Sequence, residues 1–352
     1  MKRIAIFQED LSVGGIQKSL VNLVKNLDYS AVEVDLYLSK RTEFWNTEFP
    51  KELNIKYLKP ISRACSFMPF DMAKALTKLD FADCGCYDVA IDFNSYQFSC
   101  ALGALTVPAK KRVMWVHNNV EIKLGEEWKY RVLWHFFKEK FKYYDEFVCV
   151  SKALEAPFRK MSGIGEKKVN VIQNFIDVQD IREKMRLEPE NLSVDDSCVN
   201  LVALGRLCHQ KGYDIMLEVF KRVCEQRDDM RLYIIGGGED GQALEKQAQD
   251  SGIADKVFFL GSRSNPYCIM SRMDAFVSTS RYEGQPLNIM EAMAVGLPLY
   301  CSSNLEQYTE GLKGYDDLVP VLLKAEKTEK HPDELTAYNR KIIDSVIALA
   351  GE

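Results

Sequence analysis

Residues 280–298 read SRYEGQPLNIMEAMAVGLP, and this stretch decides the fold of the chain. The apolar run before it, residues 274–278, is typical of a buried parallel strand. Pro286 suits the first position of a helix, where its missing N–H costs nothing, and apolar residues then recur at helical spacing. Gly296 suits the end of that helix. The stretch therefore predicts a strand, a tight loop, a helix and a turn.

Two carboxylates flank the start of the predicted helix. Glu283 lies on the loop, bent at Gly284, and Glu291 lies in the second helical turn. The N–H groups and the positive dipole end of a helix N-terminus favour phosphate, whereas carboxylates accept hydrogen bonds from hydroxyls. A nucleotide sugar, which carries a pyrophosphate between hydroxylated rings, would use both features. The alternative is two surface glutamates on an ordinary strand–helix unit.

The rest of the chain alternates apolar strands with helical segments. This pattern predicts an α/β fold with parallel sheets and helices on both faces, and the length of 352 residues favours two domains. Ligands of such sheets bind beyond the carboxyl ends of the strands. The strands are expected at 4–7, 32–38, 89–93, 112–116, 147–150, 168–172, 199–204, 231–235 and 257–261.

Candidate ligand-binding residues follow several of these strands. Arg206 and Lys211 follow the 199–204 strand, and a guanidinium and an ammonium there can neutralise a diphosphate leaving group. The turn 236–238 and the Gly14-Gly15 loop are glycine-rich, which permits a close approach of backbone to ligand. The latter lacks the third glycine of a dinucleotide-binding fingerprint. His117 follows the 112–116 strand, a position that favours a functional role over a structural one.

The Glu-x7-Glu spacing, followed by Glu-Ala-Met-Ala and Gly-x-Pro, resembles the retaining glycosyltransferases of family 4. The resemblance implies a GT-B fold, with two Rossmann-like domains facing each other across a cleft. It implies catalytic roles for His117, Arg206, Lys211 and Glu283. Expected donor-binding residues are Gly14, Gly15, Gly236, Gly238, Ser262, Arg263, Gly284, Gln285, Leu287, Asn288 and Glu291. On this resemblance Glu283 contacts the donor sugar, Glu291 contacts the ribose and His117 orients the transferring sugar.

Three departures from the family pattern affect these expectations. Pro286 stands where relatives have a residue with a backbone N–H, so Leu287 and Asn288 must donate to phosphate instead. Phe175 replaces a glycine in Asn174-Phe175-Ile176-Asp177, the expected domain junction. Residues 302–307 lack the usual Gly-Gly turn, which leaves contacts from that region unassigned.

The predicted domains are residues 1–178, an acceptor domain, and 198–334, a nucleotide-sugar donor domain. The polar segment 178–197 is expected to link them, and an amphipathic C-terminal helix, 335–352, is expected to pack back on the first domain.

Composition excludes several classes of protein. The net charge of −5 gives no general attraction to nucleic acid, and no apolar run reaches the length of a membrane span. The N-terminus lacks a signal-peptide core, so a cytoplasmic location and reduced thiols are expected for the ten cysteines. No Asp-x-Asp triplet occurs, and we expect no metal and no cofactor beyond the donor substrate.

Residues 126–144 combine aromatic side chains with interleaved basic ones. Two interpretations stay open: an amphipathic helix that packs on the core with a solvated lysine face, or a docking segment at the inner face of an anionic membrane.

The function expected from these observations is metal-independent transfer of a hexosyl unit from a nucleoside-diphosphate sugar, with a UDP-sugar as the expected donor. The acceptor is a saccharide or a lipid-linked saccharide, and the context is synthesis of cell-surface polysaccharide such as capsule. The resemblance alone implies retention. The alternatives are an epimerase or phosphorylase on the same frame, and a non-catalytic subunit that binds nucleotide sugars.

Overall fold

The computed structural model describes residues 1–12, 14–41, 48–126, 128–190 and 192–351. The chain divides into two compact units. The first contains Met1–Ile176 and Thr336–Glu352, and the second contains Asp177–Leu335. Each unit is built on one parallel sheet.

The first unit has a seven-stranded sheet in the order β3-β2-β1-β4-β5-β6-β7. Its strands are β1 Lys2–Gln8, β2 Val32–Leu38, β3 Asn54–Tyr57, β4 Tyr87–Asp92, β5 Ala109–Val116, β6 Glu146–Cys149 and β7 Lys168–Val171. All neighbouring pairs are parallel, and the central strands are buried because helices cover the sheet. The helices between Met1 and Ile176 are α1 Gly15–Asn26, α2 Phe70–Thr77, α3 Phe98–Thr106, α4 Val120–Glu126, α5 Trp128–Phe137 and α6 Glu155–Ser162.

The second unit has a six-stranded sheet in the order β10-β9-β8-β11-β12-β13, again with parallel pairs. Its strands are β8 Val199–Leu204, β9 Met230–Ile235, β10 Val257–Gly261, β11 Ala275–Ser278, β12 Leu299–Ser302 and β13 Gly314–Tyr315. Its helices are α7 Val178–Met185, α8 Tyr213–Cys224, α9 Gly241–Asp250, α10 Tyr267–Met270, α11 Leu287–Val295 and α12 Val319–Leu322. The order reverses between β8 and β11, so the loops after these two strands meet at a switch point.

The predicted α/β class and the predicted strands are confirmed, with small differences in their ends. The prediction missed β3, β12 and β13, which are short and lie toward sheet edges. Pro286 is not the first helical residue: it caps α11 from outside with extended backbone, and the helix begins at Leu287. Gly296 ends that helix in the left-handed conformation, as expected.

The segment expected to be a linker is partly helical. Residues 178–185 form α7, which begins with Asp177 as its N-cap: the Asp177 side chain accepts a hydrogen bond from Asp180 N at 3.0 Å. The helix packs on α10 and α11 and belongs to the second unit. An unrecognised cap therefore explains this difference.

The C-terminal helix, α13 Thr336–Leu349, belongs to the first unit. Asn339 bonds both backbone groups of Ile176: its Nδ2 donates to the carbonyl at 2.7 Å and its Oδ1 accepts from the N–H at 3.2 Å. Tyr338 Oη donates to Asn174 O at 2.8 Å. Hydrogen bonds from α13 therefore hold residues 174–176, where the Met1–Ile176 part of the first unit ends.

Residues 126–144 do not form one helix. They comprise the end of α4, then α5, then a 3-10 segment, Lys138–Tyr143; Glu127 and the side chains at 129, 133 and 135–137 lie outside the described residues. Lys140 is not on a solvated face, because its side chain is 1% exposed and its Nζ atom lies 3.6 Å from Asp92 Oδ2. Trp134 and Phe141 are also buried, whereas Trp128 is 67% exposed. Core packing therefore accounts for much of the aromatic pattern.

Within the described ranges, no helix has both the length and the apolar character needed to cross a membrane. All ten cysteines are free thiols in the structure.

Candidate functional site

The loops after β8 and β11 bring Lys211 and Glu283 together. Because β8 and β11 are parallel neighbours, their carboxyl ends lie at the same edge of the sheet. The Lys211 Nζ atom lies 2.6 Å from Glu283 Oε1, and the two side chains are 19% and 7% exposed. An ion pair with so little exposure is charge-assisted and geometrically defined, unlike a surface pair.

Further hydrogen bonds join the same two loops. Arg281 N donates to Gln210 O at 2.8 Å, and Gln210 Nε2 donates to Tyr282 O at 3.0 Å. The Arg281 guanidinium binds the Asp214 carboxylate through two bonds, of 2.8 and 2.6 Å, and also donates to His209 O. Asn304 Nδ2 donates to the carbonyls of Ser280 and Arg281, which supports the loop from the next strand. These hydrogen bonds therefore fix the loop that carries Lys211 and the loop that carries Glu283.

The N-terminus of α11 lies beside this pair. Asn288 Nδ2 donates to Leu204 O at 2.7 Å, which ties the first turn of the helix to the end of β8. Asn288 Oδ1 accepts from Ile289 N at 3.1 Å. The first N–H groups of a helix have no intrahelical acceptor, so those of Leu287 and Asn288 are the donors that a phosphate would use.

Glu291, in the second turn of α11, is 6% exposed and accepts a hydrogen bond from Tyr267 Oη at 2.6 Å. Burial first, and then the neighbouring Glu291 carboxylate, raises the pKa of Tyr267 well above its usual value. The tyrosine is therefore protonated and donates to the carboxylate.

Arg206 lies two residues after the end of β8 and is exposed. No hydrogen bond or ion pair joins its side chain to another part of the described chain. A guanidinium in that condition can bind an incoming anion without first breaking an internal contact.

Gly236 and Gly238 are required by the chain's own backbone. A Cβ on Gly236 would lie 1.9 Å from Gly205 O, and a Cβ on Gly238 would lie 2.2 Å from Leu207 O. Packing between the loops after β8 and β9 therefore explains both glycines, and their contact with a donor stays a prediction. Ser262 reaches the same turn, since its Oγ would lie 3.0 Å from a Cβ on Gly237. Arg263 Nε instead donates to Leu260 O at 3.0 Å.

Three of the predicted residues, Gly14, Gly15 and His117, belong to the first unit. Gly14 caps α1 and Gly15 begins it, while Val13 of the same loop lies outside the described residues. The Gln17 side chain folds over Gly14, because a Cβ there would lie 2.4 Å from Gln17 Oε1. Gln17 Nε2 also donates to Asp10 at 3.3 Å. A ligand at the Gly14 backbone would have to displace Gln17.

His117, directly after β5, is 6% exposed and its Nε2 lies 2.9 Å from Phe93 O. Since a carbonyl can only accept, Nε2 carries the proton and Nδ1 is the acceptor. Burial lowers the pKa of His117 to about 4, and the hydrogen bond to Phe93 opposes this shift only in part. A neutral imidazole of this kind can accept a hydrogen bond from a hydroxyl but cannot serve as a cation near neutral pH.

This pKa predicts a pH dependence of stability. The folded-state pKa of His117 lies below the ordinary value, so the unfolded chain binds the proton first as pH falls. The stabilisation is complete above the unfolded pKa and is lost as pH falls toward the folded one. We expect His117 to lower the free energy of unfolding by about 2 kcal/mol between pH 7 and pH 5. His117→Gln should remove this part of the slope in urea unfolding at the two pH values. The exposed His331→Gln is the matched control, and an equal slope in wild type and His117→Gln would contradict the prediction.

Three contributors to this region were not predicted from the sequence: Tyr267, the Arg281–Asp214 pair and Asn304. Arg281 stands inside the deciding stretch, but only the folded loop shows that it binds Asp214, 67 residues earlier. No signal marks Tyr267 as a partner of Glu291. Among the described residues, no group of three or more His, Cys, Asp or Glu side chains is placed to hold a metal ion.

Two family profiles match the chain. "Glycosyltransferase Family 4" matches residues 13–180, and "Glycosyl transferases group 1" matches residues 188–319. Together they extend through most of both units.

Individual relatives are more distant. An uncharacterized glycosyltransferase of Methanocaldococcus jannaschii is 25% identical over 54% of this chain and 47% of its own length. A Campylobacter jejuni N-acetylgalactosamine-N,N'-diacetylbacillosaminyl-diphospho-undecaprenol 4-alpha-N-acetylgalactosaminyltransferase is 26% identical over 40% of this chain and 36% of its own length. The chain thus spans less than half the length of these curated relatives.

A solved structure shares the fold over the whole chain. Anabaena HepE, in complex with UDP and glucose, aligns with a TM-score of 0.63 and 16% sequence identity, covering 100% of this chain and 95% of the HepE chain. The two parallel sheets of the present chain, with their flanking helices, match the GT-B glycosyltransferase fold of that structure. With both family profiles and this fold in agreement, the chain belongs to the family 4, or group 1, glycosyltransferases.

Proposed function

We propose that the protein transfers a hexosyl unit from a nucleoside-diphosphate sugar, with a UDP-sugar as the donor, to a saccharide or lipid-linked saccharide acceptor. Retention of anomeric configuration and a role in cell-surface polysaccharide synthesis are part of the proposal. The observation that carries it is the Lys211–Glu283 pair at the carboxyl ends of β8 and β11, beside the N-terminus of α11 and Glu291.

Electrostatic stabilisation of the leaving group is the main step assigned to this site. Breaking the anomeric C–O bond leaves negative charge on the diphosphate. Lys211, Arg206 and the first N–H groups of α11 carry the complementary charge and lie at one edge of the sheet. Donors that are already in place need no reorganisation as the charge develops. We propose that these groups perform the neutralisation without a divalent ion, so EDTA should leave turnover unchanged.

Glu283 is suited to hold a sugar hydroxyl. Its carboxylate accepts from Lys211 Nζ at 2.6 Å, and Gln210 Nε2 lies 3.5 Å from its second oxygen. A carboxylate has about four lone-pair sites, so these contacts leave acceptor capacity for the donor sugar. The ion pair with Lys211 orients the Glu283 carboxylate, which would accept a hydrogen bond from a hydroxyl of the donor sugar.

A lipid-linked acceptor is favoured by two observations. Trp128 and Val132 expose 67% and 60% of their surface on one face of α5, four residues apart. An exposed apolar pair of this kind suits the interface of a membrane. The Campylobacter relative is, by its name, a transferase to a diphospho-undecaprenol-linked sugar.

Thermal-shift measurements with UDP-, GDP- and ADP-sugars test the proposal first. A ligand at a hundred times its Kd stabilises the folded state by about 2.7 kcal/mol, so the true donor should raise Tm by several degrees. Transfer should follow when acceptors are added. If no nucleotide sugar raises Tm, the proposal is wrong. Acceptor-free sugar interconversion would favour an epimerase, and binding without transfer would favour a non-catalytic subunit.

A further inference from the structure

The loop between β10 and β11 contains Asn265-Pro266-Tyr267, which no predicted role covers. Asn265 Oδ1 accepts from the backbone N–H groups of Tyr267 and Cys268, at 3.1 and 3.3 Å, and so caps the start of α10. Asn265 Nδ2 donates to Lys184 O at 2.9 Å, at the end of α7. The loop is therefore held in place from two directions.

This anchoring places Tyr267 inside the second unit, with 2% of its surface exposed. Its hydroxyl donates to Glu291 Oε1 at 2.6 Å across 24 residues of sequence. A hydrogen bond to a buried carboxylate is charge-assisted, and it fixes the orientation of the carboxylate group. Glu291 itself is in the second turn of α11, next to the turn that would bind phosphate.

We infer that Tyr267 is a positioning residue: it holds the Glu291 carboxylate so that the remaining acceptor sites of that group meet a ribose hydroxyl of the nucleoside diphosphate. The inference rests on the proposed function, since it needs Glu291 to face the ribose. It assigns to this pair the preference for a ribonucleotide over a deoxyribonucleotide. The Tyr267 hydrogen bond fixes the direction in which the other acceptor sites of the Glu291 carboxylate point.

A tyrosine that only filled space would affect all nucleotides alike. A tyrosine that orients Glu291 would affect only ligands that carry the hydroxyl that Glu291 contacts. The difference between UDP and its 2′-deoxy and 3′-deoxy analogues therefore separates the two roles.

Isothermal titration of wild type and Tyr267→Phe with these three nucleotides tests the inference. Wild type should bind UDP about tenfold more tightly than the analogue that lacks the contacted hydroxyl. In Tyr267→Phe this ratio should fall to roughly twofold, because UDP affinity drops while the affinity for that analogue changes little. Tyr233→Phe is the matched control, since Tyr233 is equally buried in the same unit and its hydroxyl donates to a backbone carbonyl, Ser193 O. The control should keep the wild-type ratio.

A double variant, Tyr267→Phe with Glu291→Gln, shows whether the tyrosine acts through the glutamate. The ratio in the double variant should equal that of Glu291→Gln alone. If folded Tyr267→Phe keeps the wild-type ratio, this inference is wrong and the proposed function stands. If wild type does not discriminate between the three nucleotides, or binds neither UDP nor the ADP and GDP series, the proposed role of Glu291 fails, and the inference fails with it.

Discussion

Lys211→Ala should lower donor turnover by roughly 10²–10³-fold, the effect of removing one preorganised charge that stabilises a developing anion. Lys211 is the cation nearest Glu283, at 2.6 Å, and the loops around both are braced by the Arg281–Asp214 pair. The loss should appear mainly in kcat, because the charge on the leaving diphosphate grows as the C–O bond breaks. Steady-state kinetics with the donor identified by thermal shift provide the measurement.

Two controls separate lost chemistry from lost structure. Lys246→Ala removes an exposed lysine from α9 of the same unit and should leave turnover unchanged. Lys211→Ala also leaves Glu283, 7% exposed, without its counter-ion, which destabilises the folded state. Lys211→Ala combined with Glu283→Gln should recover stability but not turnover. Wild-type kcat in folded Lys211→Ala would refute the assignment of the leaving-group charge to this lysine.

Glu291→Gln should weaken binding of the nucleoside diphosphate by about 100-fold if the carboxylate accepts from the ribose hydroxyls, since bonds to charged groups are the strong ones. Glutamine is preferred to alanine because it keeps an acceptor oxygen for the Tyr267 hydroxyl. Isothermal titration with UDP measures the effect, and it should exceed the effect on kcat.

Glu245→Gln, at an exposed position of α9, is the matched control and should bind UDP as wild type does. Unchanged UDP affinity in Glu291→Gln, with an unchanged Tm, would show that the ribose lies elsewhere.

The strand–loop–helix unit around Glu283 could be predicted because its signals are local. Apolar runs, a proline near the helix start and a glycine at its end are read within some twenty residues. The sequence places Lys211 and Glu283 after two different strands but does not show that these strands are neighbours. The parallel pairing of β8 and β11 in the structure brings the two side chains together. The sequence pattern could not show whether Pro286 is the N-cap or the first residue of the helix, because the two positions differ by one residue.

Interactions between distant residues were beyond the reach of sequence patterns. One of the two interpretations of residues 126–144 placed their lysines on a solvated face, yet Lys140 pairs with Asp92 and donates to Ser95 O at 2.8 Å, 45 residues away. A lysine is rarely buried unless it is paired, and the pattern of residues 126–144 gives no sign of the partner. Gly236 and Gly238 were expected to admit a ligand, and that contact stays a prediction. No signal in the sequence indicates that the atoms nearest to a Cβ at either position belong to the loop after β8.

Tyr267 illustrates the same limit within the site. Glu291 was predicted from its spacing to Glu283, but its orientation depends on a residue with no marked pattern of its own. The Asn265 contacts that place Tyr267 reach α7, a helix in a segment expected to be a linker. The roles of the site residues stay predictions from the sequence, whereas the contacts that support these residues are visible only in the folded chain.

We propose that the carboxyl-end edge of β8 and β11 binds a nucleoside diphosphate. A crystal structure of the protein with UDP is the decisive experiment. We expect diphosphate oxygens within hydrogen-bond distance of Lys211 and of the backbone N–H groups of Leu287 and Asn288, with the ribose at Glu291. Well-ordered UDP bound at any other place on the second unit, with this edge empty, would contradict the proposed binding site.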